Sequence, residues 1–426
     1  MTSHAHASTL FLTILWRTGF ALALLSSLTV VASQSAQAQT FTVLHNFTLG
    51  DDGGYPVAGL TLDASGNLYG TAGQGGANGF GTVFKLAHRN SNWIFATLYS
   101  FRGGIDGEQP TAAVTIGPNG SLYSTTVLGG LRQCNGGRDA CGTIFNLRPA
   151  THATGNVMGG WDKTPVYAFT GGTGGARPFA DVTFDSSGNM YGTTYAGGTD
   201  GAGTVYEATP SDAGWTVSVI YSFSGGSSST ACLPTSGVVL DSAGNLYGTA
   251  DQCGIGNQGS VYRLTPSAGG WTETTLHEFT GGSDGAQPYG GLLLDASGNL
   301  YGTTIAGGVG NTGVVFELTQ SNGTWAFQTI YSFTGCCGGS WAAVTMDRAG
   351  NLYGTTRENG AYEYGNVFEL TPTTGGWVYT SLHDFNPPYG GGYPYSPVTI
   401  DSSGNLYGTT SEYGNDGEGT VWEITP

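Results

Sequence analysis

One short motif, repeated seven times at nearly even spacing, constrains the fold of this chain more than any other feature. Its first copy, G-N-L-Y-G-T, occupies residues 66–71. The later copies begin at Gly120, Gly188, Gly244, Gly298, Gly350 and Gly404, so the steps between them are 54, 68, 56, 54, 52 and 54 residues. A fixed period of this length indicates a repeat architecture in which each unit is one supersecondary element. We therefore interpret residues 39–426 as one array, although 426 residues would by themselves suggest two or three domains.

Each unit contains four short runs of strand type. In the fifth unit these are strand A (287–295), strand B (299–304), strand C (314–319) and strand D (329–333). Asp295 and Gly298 mark the A-to-B turn, because the Asp carboxylate accepts from nearby backbone N–H groups and Gly tolerates positive φ. No segment shows the 3.6-residue period of a helix. The pattern predicts an all-β fold, a seven-bladed β-propeller of four-stranded antiparallel blades.

The two ends of the array predict how the ring closes. The last unit stops at strand C, residues 419–426, with no strand D after it. The segment 41–47, by contrast, matches strand D of other units, such as 275–279. We expect the N-terminal strand to complete the last blade, which removes an exposed sheet edge.

The first 38 residues have the features of a secretory signal peptide. Arg17 precedes an apolar run at 20–31, and Ala36-Gln37-Ala38 offers a small-x-small cleavage site. A retained membrane anchor is the alternative interpretation. We predict a signal peptide at 1–38 and a single propeller at 39–426, secreted or periplasmic, with no membrane attachment after cleavage.

Charge and composition narrow the set of partners. The formal net charge is −17, from 12 basic and 29 acidic residues, which argues against nucleic acid because phosphate binding needs a basic face. The six cysteines lack the spacing of a metal site. We predict a monomer with no metal and no cofactor.

The repeat itself resembles a known family. The pattern D-x-x-G-N-L-Y-G-T-T-x-x-G-G, followed by G-T-V-F-E-L-T-P, is similar to the GloVer-type tandem repeats of secreted bacterial proteins. The resemblance covers the whole of 39–426, and the second unit departs most, with Gly-Pro-Asn-Gly-Ser at 117–121. It implies an exported propeller-like repeat protein, sometimes with a surface anchor, and it implies no particular activity.

The cysteines all fall in loops that join strand D to strand A or strand B to strand C. Cys232 and Cys253 lie in two such loops of the fourth unit, and Cys134 and Cys141 lie in the long B-to-C loop of the second. We predict that each of these pairs is a disulfide that staples its loops. The adjacent residues Cys336 and Cys337 complete the set; a structural role is favoured over a redox role, and their oxidation state stays open.

The two rims of the predicted propeller differ in a way that bears on binding. The A-to-B turns are short and nearly uniform, so we expect them to form no pocket and their Asp residues to be turn-formers. The D-to-A and B-to-C loops vary, and variable loops on a rigid scaffold usually carry binding. The candidate ligand-binding residues on that rim are Asp181, Tyr195, Tyr289, Asp52, Asp106 and Asp284.

Among these candidates Asp181 is distinctive, because other units place Ala, Gly or Pro at its position. Aromatic faces and carboxylates together suit sugar rings, a bound cation or an acid/base pair. The competing interpretation is that none binds a ligand, since the chain has 23 Tyr and Asp-Gly is an ordinary turn signal. His45, His277 and His383 share a strand D position that is Tyr in other units, which indicates packing.

Three functions remain open at this stage. We favour a non-enzymatic exported binding protein whose ligand is a carbohydrate or another cell-surface polymer, bound on the loop-rich rim. The alternatives are a polysaccharide lyase or glycoside hydrolase that uses rim carboxylates, and a purely structural or adhesive repeat protein. The sequence offers no Ser-His-Asp or Cys-His set.

Overall fold

Every strand of the described chain belongs to one of seven four-stranded antiparallel sheets. The computed structural model describes residues 39–89, 92–131, 141–150, 160–226, 229–335 and 338–426. The predicted signal segment 1–38, together with Cys134, Cys336 and Cys337, lies outside the described residues. The all-β, seven-bladed propeller predicted from the repeat is confirmed.

The strands run in chain order from the outer strand of the last blade to its third strand. The first strand is β1 (Thr40–Asn46). Blades one to three contain β2 (Thr61–Leu62), β3 (Leu68–Ala72), β4 (Thr82–Arg89), β5 (Asn92–Ser100); β6 (Thr115–Ile116), β7 (Leu122–Thr126), β8 (Thr143–Pro149), β9 (Trp161–Ala168); and β10 (Thr183–Phe184), β11 (Met190–Thr194), β12 (Thr204–Ser211), β13 (Gly214–Ser222). Blades four and five contain β14 (Val239–Leu240), β15 (Leu246–Ala250), β16 (Ser260–Ser267), β17 (Gly270–Glu278); and β18 (Leu293–Leu294), β19 (Leu300–Thr303), β20 (Val314–Ser321), β21 (Thr324–Ser332). Blades six and seven contain β22 (Thr345–Met346), β23 (Leu352–Thr356), β24 (Asn366–Thr373), β25 (Gly376–Asp384); and β26 (Thr399–Ile400), β27 (Leu406–Thr410), β28 (Thr420–Thr425), with β1 as the outer strand of blade seven.

The N-terminal strand closes the ring as predicted. Strand β1 pairs antiparallel with β28, from Thr40 opposite Thr425 to Asn46 opposite Thr420. The backbone N–H of Phe47 then donates to the carbonyl of Gly419 at 3.0 Å, the same bond that Phe279 makes to Gly259 in blade four. Closure leaves no blade without an outer strand.

The repeated motif is explained residue by residue in the fifth blade. Asp295 Oδ1 accepts from the backbone N–H of Ser297 and of Asn299, both at 2.8 Å, and Asn299 Nδ2 donates to Asp295 Oδ2 at 2.9 Å. Gly298 between them has φ +87°. The Leu that follows is fully buried, as Leu300 is here. The carboxylate therefore organises the turn, as the sequence predicts.

The Gly in the middle of strand B makes room for an aromatic ring. In blade one, a Cβ added at Gly70 would lie 2.5 Å from Cζ of Phe84, which is fully buried on strand C. The other blades place Phe, Tyr or Trp at the same position, as at Tyr206 and Trp422. Each blade thus fills the space beside its own inner strand with a large ring.

The Thr that ends the motif joins each blade to the next. Its hydroxyl donates to a backbone carbonyl on strand A of the following blade, for example from Thr71 to Ala112 at 2.9 Å. The same bond recurs around the ring, at Thr125, Thr193, Thr249, Thr303, Thr355 and Thr409. The last of these reaches Ala58 at 3.1 Å and links blade seven to blade one.

Aromatic stacking joins the outer strands of adjacent blades. The ring of His383 stacks on Phe41 at a centroid distance of 3.7 Å, and His45 stacks on Phe95 at 3.8 Å. Tyr331, at the same strand position, stacks on Tyr379 at 4.6 Å. These histidines pack between blades, as their exchange with Tyr predicts. Burial lowers the pKa of His383 to about 4.

Removing the aromatic ring of Phe47, which follows the closing strand β1, should destabilise the fold as much as removing the equivalent ring inside the array. Phe47 and Phe279 are equivalent and both fully buried. We expect Phe47→Ala and Phe279→Ala each to lower the free energy of unfolding by about 3–5 kcal/mol, measured by chemical denaturation. If Phe47→Ala has almost no effect while Phe279→Ala is costly, the N-terminal strand does not close the ring in solution.

The stacked histidines should make stability fall in mild acid. Because burial lowers the pKa of His383 in the folded state from its ordinary value of 6.5 to about 4, the unfolded chain binds the proton first as the pH falls through this range, and stability is lost. We expect His383→Tyr, which keeps the ring, to reduce the fall in Tm between pH 7 and pH 4.5. A fall equal to that of the wild type would show that His383 is not buried in its neutral form.

Candidate functional site

The D-to-A and B-to-C loops meet on one rim, as the propeller prediction requires. Single β-bridges pair the two loops in most blades, at Gly54 with Gln74, Ala176 with Ala196 and Cys232 with Gln252 among others. The axis of the ring opens between these loops. We call this opening the mouth.

A cavity of about 240 Å³ lies on the axis beneath the mouth. Its walls are the innermost strands, which present small residues such as Ala58, Ala112 and Gly290. The residue at the top of each innermost strand forms a mouth ring, which consists of Val57, Thr111, Phe179, Thr235, Tyr289, Trp341 and Tyr395. The ring is therefore aromatic in blades three, five, six and seven and small in the others.

Three of these rings are in contact and form an aromatic arc, Tyr289, Trp341 and Tyr395. The ring centroids of Tyr289 and Trp341 are 4.9 Å apart, and those of Trp341 and Tyr395 are 5.5 Å apart. Across the mouth, Phe179 meets Tyr195 edge to face at 5.5 Å. The structure thus places the predicted residues Tyr195 and Tyr289 at the mouth, together with rings that were not predicted.

Arg357 braces one end of the aromatic arc. Its guanidinium lies 5.6 Å from the ring centroid of Trp341 and 5.1 Å from that of Tyr395, within cation–π range. Its Nε donates to the Tyr395 hydroxyl at 2.5 Å, and it is ion-paired with Glu358. The charge of this arginine is therefore largely compensated within the protein.

Asp181 lies in the wall of the axial cavity. Its side chain is exposed to the lumen of the cavity, and desolvation by the surrounding walls raises the pKa of the carboxyl. A Cβ added at Gly237, on the next blade, would lie 3.0 Å from Asp181 Oδ1. The carboxyl is thus held close against the neighbouring inner strand, where only small residues fit.

A second carboxyl at the mouth, that of Asp251, was not predicted from the sequence. Asp251 follows strand B of blade four and is 8% exposed. Its Oδ1 is buried and accepts no hydrogen bond from any described residue. Burial raises its pKa, against a smaller opposing effect of a hydrogen bond from Gln252. Tyr289 is coupled to it: burial, followed by the charge of Asp251, raises the pKa of the Tyr289 phenol to about 12.

The other three predicted carboxylates are already engaged in their own loops. Asp52, Asp106 and Asp284 each accept from a backbone N–H of the D-to-A loop and contact a strand D ring. At Asp284, the donor is Thr280 N at 2.9 Å and the ring is His277, 3.2 Å away. Ligand binding by these three residues stays a prediction, and the structure does not bring them to the axial cavity.

The opposite rim, formed by the A-to-B turns, contains grooves that were not expected. Grooves of about 600 and 540 Å³ lie between the A-to-B turns of adjacent blades, beside Asp185 and Asp241 and beside Asp347 and Asp401. The expectation that these turns form no pocket is therefore wrong, because neighbouring turns splay apart. Their carboxylates nevertheless already accept hydrogen bonds within the turns.

On the rim that carries the mouth, a disulfide links the D-to-A and B-to-C loops of blade four. Cys232 and Cys253 are bonded, with a Cα–Cα distance of 5.5 Å, which confirms that predicted pair. Cys141 is also disulfide-bonded, but Cys134 lies outside the described residues, so their pairing stays a prediction. Cys336 and Cys337 also lie outside the described residues, and their oxidation state stays open.

The described residues contain neither a metal-binding cluster nor a membrane-spanning helix. No group of three or more His, Cys, Asp or Glu in that part of the chain could hold a metal ion. No described helix is long and apolar enough to span a membrane.

The residues that sequence reasoning missed are Phe179, Tyr395, Asp251 and Arg357. A signal for the first two existed, because each directly follows the Pro that opens strand A, as Tyr289 does. Asp251 and Arg357 share a different position in the repeat, the one directly after strand B, where other units have Gly, Val, Tyr, Ile or Ser. Comparing each position across all seven units would have singled out all four.

Comparisons with known proteins bear on the family and the fold. The profile of the Gloeobacter/Verrucomicrobia repeat matches residues 29–158, 133–343 and 234–426. A comparison with curated proteins gives no match.

Three solved structures resemble this one. An ancestral GH74 enzyme is 13% identical with a TM-score of 0.55, over 87% of this chain and 47% of its own. A PL25 ulvan lyase is 11% identical with a TM-score of 0.53, over 88% and 94%. The extracellular domain of a hybrid two-component system from B. thetaiotaomicron is 15% identical with a TM-score of 0.52, over 91% and 41%. This chain spans less than half of the first and the third, and at these identities the likeness shows the fold alone.

The blade-four disulfide should stabilise the loops around the mouth. Closing a loop with a sequence separation of 21 residues contributes about 3 kcal/mol on the chain-entropy account. We expect the double variant Cys232→Ser, Cys253→Ser to lose that much stability in chemical denaturation without reductant. Equal stability of the two proteins, with free thiols at both wild-type positions, would contradict the assignment.

Proposed function

This chain belongs to the Gloeobacter/Verrucomicrobia repeat family, and from that premise and the geometry of the mouth we propose that it is an extracellular protein that binds a carbohydrate polymer. The ligand docks on the loop-rich rim, over the axial cavity. Binding, rather than turnover, is the function that the site supports best.

The observation that carries this proposal is the aromatic arc at the mouth. Tyr289, Trp341 and Tyr395 are in mutual contact and partly exposed. Flat aromatic rings with a polar edge suit the apolar faces of sugar rings, and nearby carboxyls accept from sugar hydroxyls. Arg357 fixes the orientation of Tyr395 through its hydrogen bond, so the arc is organised before a ligand arrives.

The size of the cavity limits how a polymer would bind. A volume of about 240 Å³ is below the roughly 300–1,000 Å³ of pockets that enclose a drug-sized ligand. One sugar ring or one chain end can enter, with Asp181 in the wall that it meets. The rest of the polymer would lie across the rim, where Tyr195 extends the surface.

The comparisons support a carbohydrate-related function without deciding its kind. Two of the similar propellers are named as an enzyme of family GH74 and as a lyase of a polysaccharide, ulvan. The third is an extracellular domain. That likeness and the Cys232–Cys253 disulfide fit an extracellular location for this chain.

Hydrolysis or elimination is the second candidate, because the axial cavity and the mouth above it each hold one carboxyl with a raised pKa. Asp181 and Asp251 are both shifted in the direction of a general acid. The test is to incubate each bound polysaccharide with the protein and to measure new reducing ends and unsaturated products. If products form and Asp181→Asn or Asp251→Asn abolishes their formation, the protein is an enzyme. If no product forms over prolonged incubation, the result supports binding alone.

Affinity electrophoresis against neutral, amino and acidic polysaccharides tests the proposed function directly. We expect at least one polymer to retard the wild-type protein. Tyr289→Ala and Trp341→Ala should each weaken that retardation about tenfold or more, because a central aromatic contact is worth roughly 1.4 kcal/mol or more. Tyr389→Ala is the matched control, since Tyr389 is exposed and lies outside the mouth.

Two outcomes would contradict the proposal. One is a folded wild-type protein that no polysaccharide retards. The other is retardation that Tyr389→Ala removes and the two mouth variants leave unchanged.

A further inference from the structure

The carboxyl of Asp251 is a buried acidic group at the mouth with an oxygen that the described residues leave unpaired. Asp251 is 8% exposed, yet Oδ1 accepts no hydrogen bond from a described residue. A buried acceptor without a donor destabilises the fold, and more so when it is charged. A group retained at that cost is a candidate for a ligand contact.

The repeat shows where the side chain at this position points. In blade one the equivalent residue is Gly73, and a Cβ added there would lie 3.5 Å from Thr111 of the mouth ring. In blade six it is Arg357, which bonds Tyr395 of the mouth ring. In blade three it is Tyr195, which contacts Phe179 of its own blade. Side chains at this position therefore lie beside the mouth ring. For Asp251 the mouth-ring residue to which it is electrostatically coupled is Tyr289.

The charges around the mouth are unbalanced towards the negative. Asp181 and Asp251 lie on adjacent blades, and no positive charge contributes to the pKa of either carboxyl. Arg357, at the other end of the arc, is paired with Glu358. The chain as a whole carries a formal charge of −17, which attracts polycations and repels polyanions.

We propose that the mouth selects a saccharide with a free amino group, whose ammonium donates to Asp251 while the sugar ring lies against Tyr289 and Trp341. This inference rests on the proposed function. An ammonium group supplies both a hydrogen-bond donor to the carboxylate and a compensating charge. A neutral hydroxyl supplies only the first, and a uronate or sulfate supplies neither.

The test is isothermal titration with three oligosaccharides of equal length: oligomers of glucosamine, of N-acetylglucosamine and of glucose. The pH is chosen so that the amines are protonated and the carboxyl of Asp251 is ionised. We expect the glucosamine oligomer to bind at least tenfold more tightly than the other two. Asp251→Asn should reduce that preference to less than threefold and leave the affinity for the glucose oligomer nearly unchanged.

Two further variants control for misfolding and for a general effect of net charge. Asp251→Ser introduces the residue that blade seven has at this position, Ser411, so the fold should tolerate it, and it should lose the preference in the same way. Asp212→Asn removes an exposed carboxylate on a C-to-D turn and should keep the full preference. Thermal melts of all variants confirm folding.

The outcomes separate the inference from the proposed function. Equal binding of all three oligomers, or tighter binding of an acidic oligomer, overturns the amino-sugar inference and leaves carbohydrate binding standing. A preference that survives Asp251→Asn, or that Asp212→Asn removes, overturns it as well, because attraction would then depend on net charge. If no saccharide of any class binds, both proposals fail.

Discussion

The hydrogen bond from the strand B threonine to the next blade is the interaction on which the rest of this structure depends. The innermost strand of each blade pairs with its neighbour over only two residues, as Thr61–Leu62 does in β2. Such a short ladder holds strand A weakly. The buried hydroxyl, for example Thr71 on Ala112 at 2.9 Å, ties it to the preceding blade instead. A hydrogen bond of this kind contributes about 0.5–1.5 kcal/mol to stability.

That hydrogen bond also positions the mouth ring, because the carbonyl that accepts it belongs to the residue directly after the mouth-ring residue. Ala342 accepts from Thr303, and Trp341 stands directly above it. The same template holds seven mouth-ring residues at one height, whatever their side chains. The scaffold is therefore uniform, and function is free to reside in the few positions where one unit departs from the others, such as Asp181, Asp251 and Arg357.

Much of the fold could be predicted from the sequence, and much of the site could not. The repeat period and the strand D match of 41–47 were enough to predict seven blades and their closure, because a period of about 54 residues has few architectural solutions. Cys232 and Cys253 were predictable as a pair because both fall in loops of one unit. The mouth was harder, because the residue before the Pro of strand A adopts a left-handed conformation in most blades, with φ +58° at Tyr55 and +55° at Gln287. Non-glycine residues rarely do so, and simple alternation along the strand then fails to show which side chain faces the axis.

A crystal structure of the mature protein with a bound oligosaccharide tests the central claim, that the axial mouth is the binding site, most directly. We predict electron density for a sugar ring against Tyr289 and Trp341, with a polar atom of the ligand within hydrogen-bond distance of Asp251. Density confined to a groove between A-to-B turns, such as the one beside Asp185 and Asp241, with no ligand at the mouth, would contradict the account.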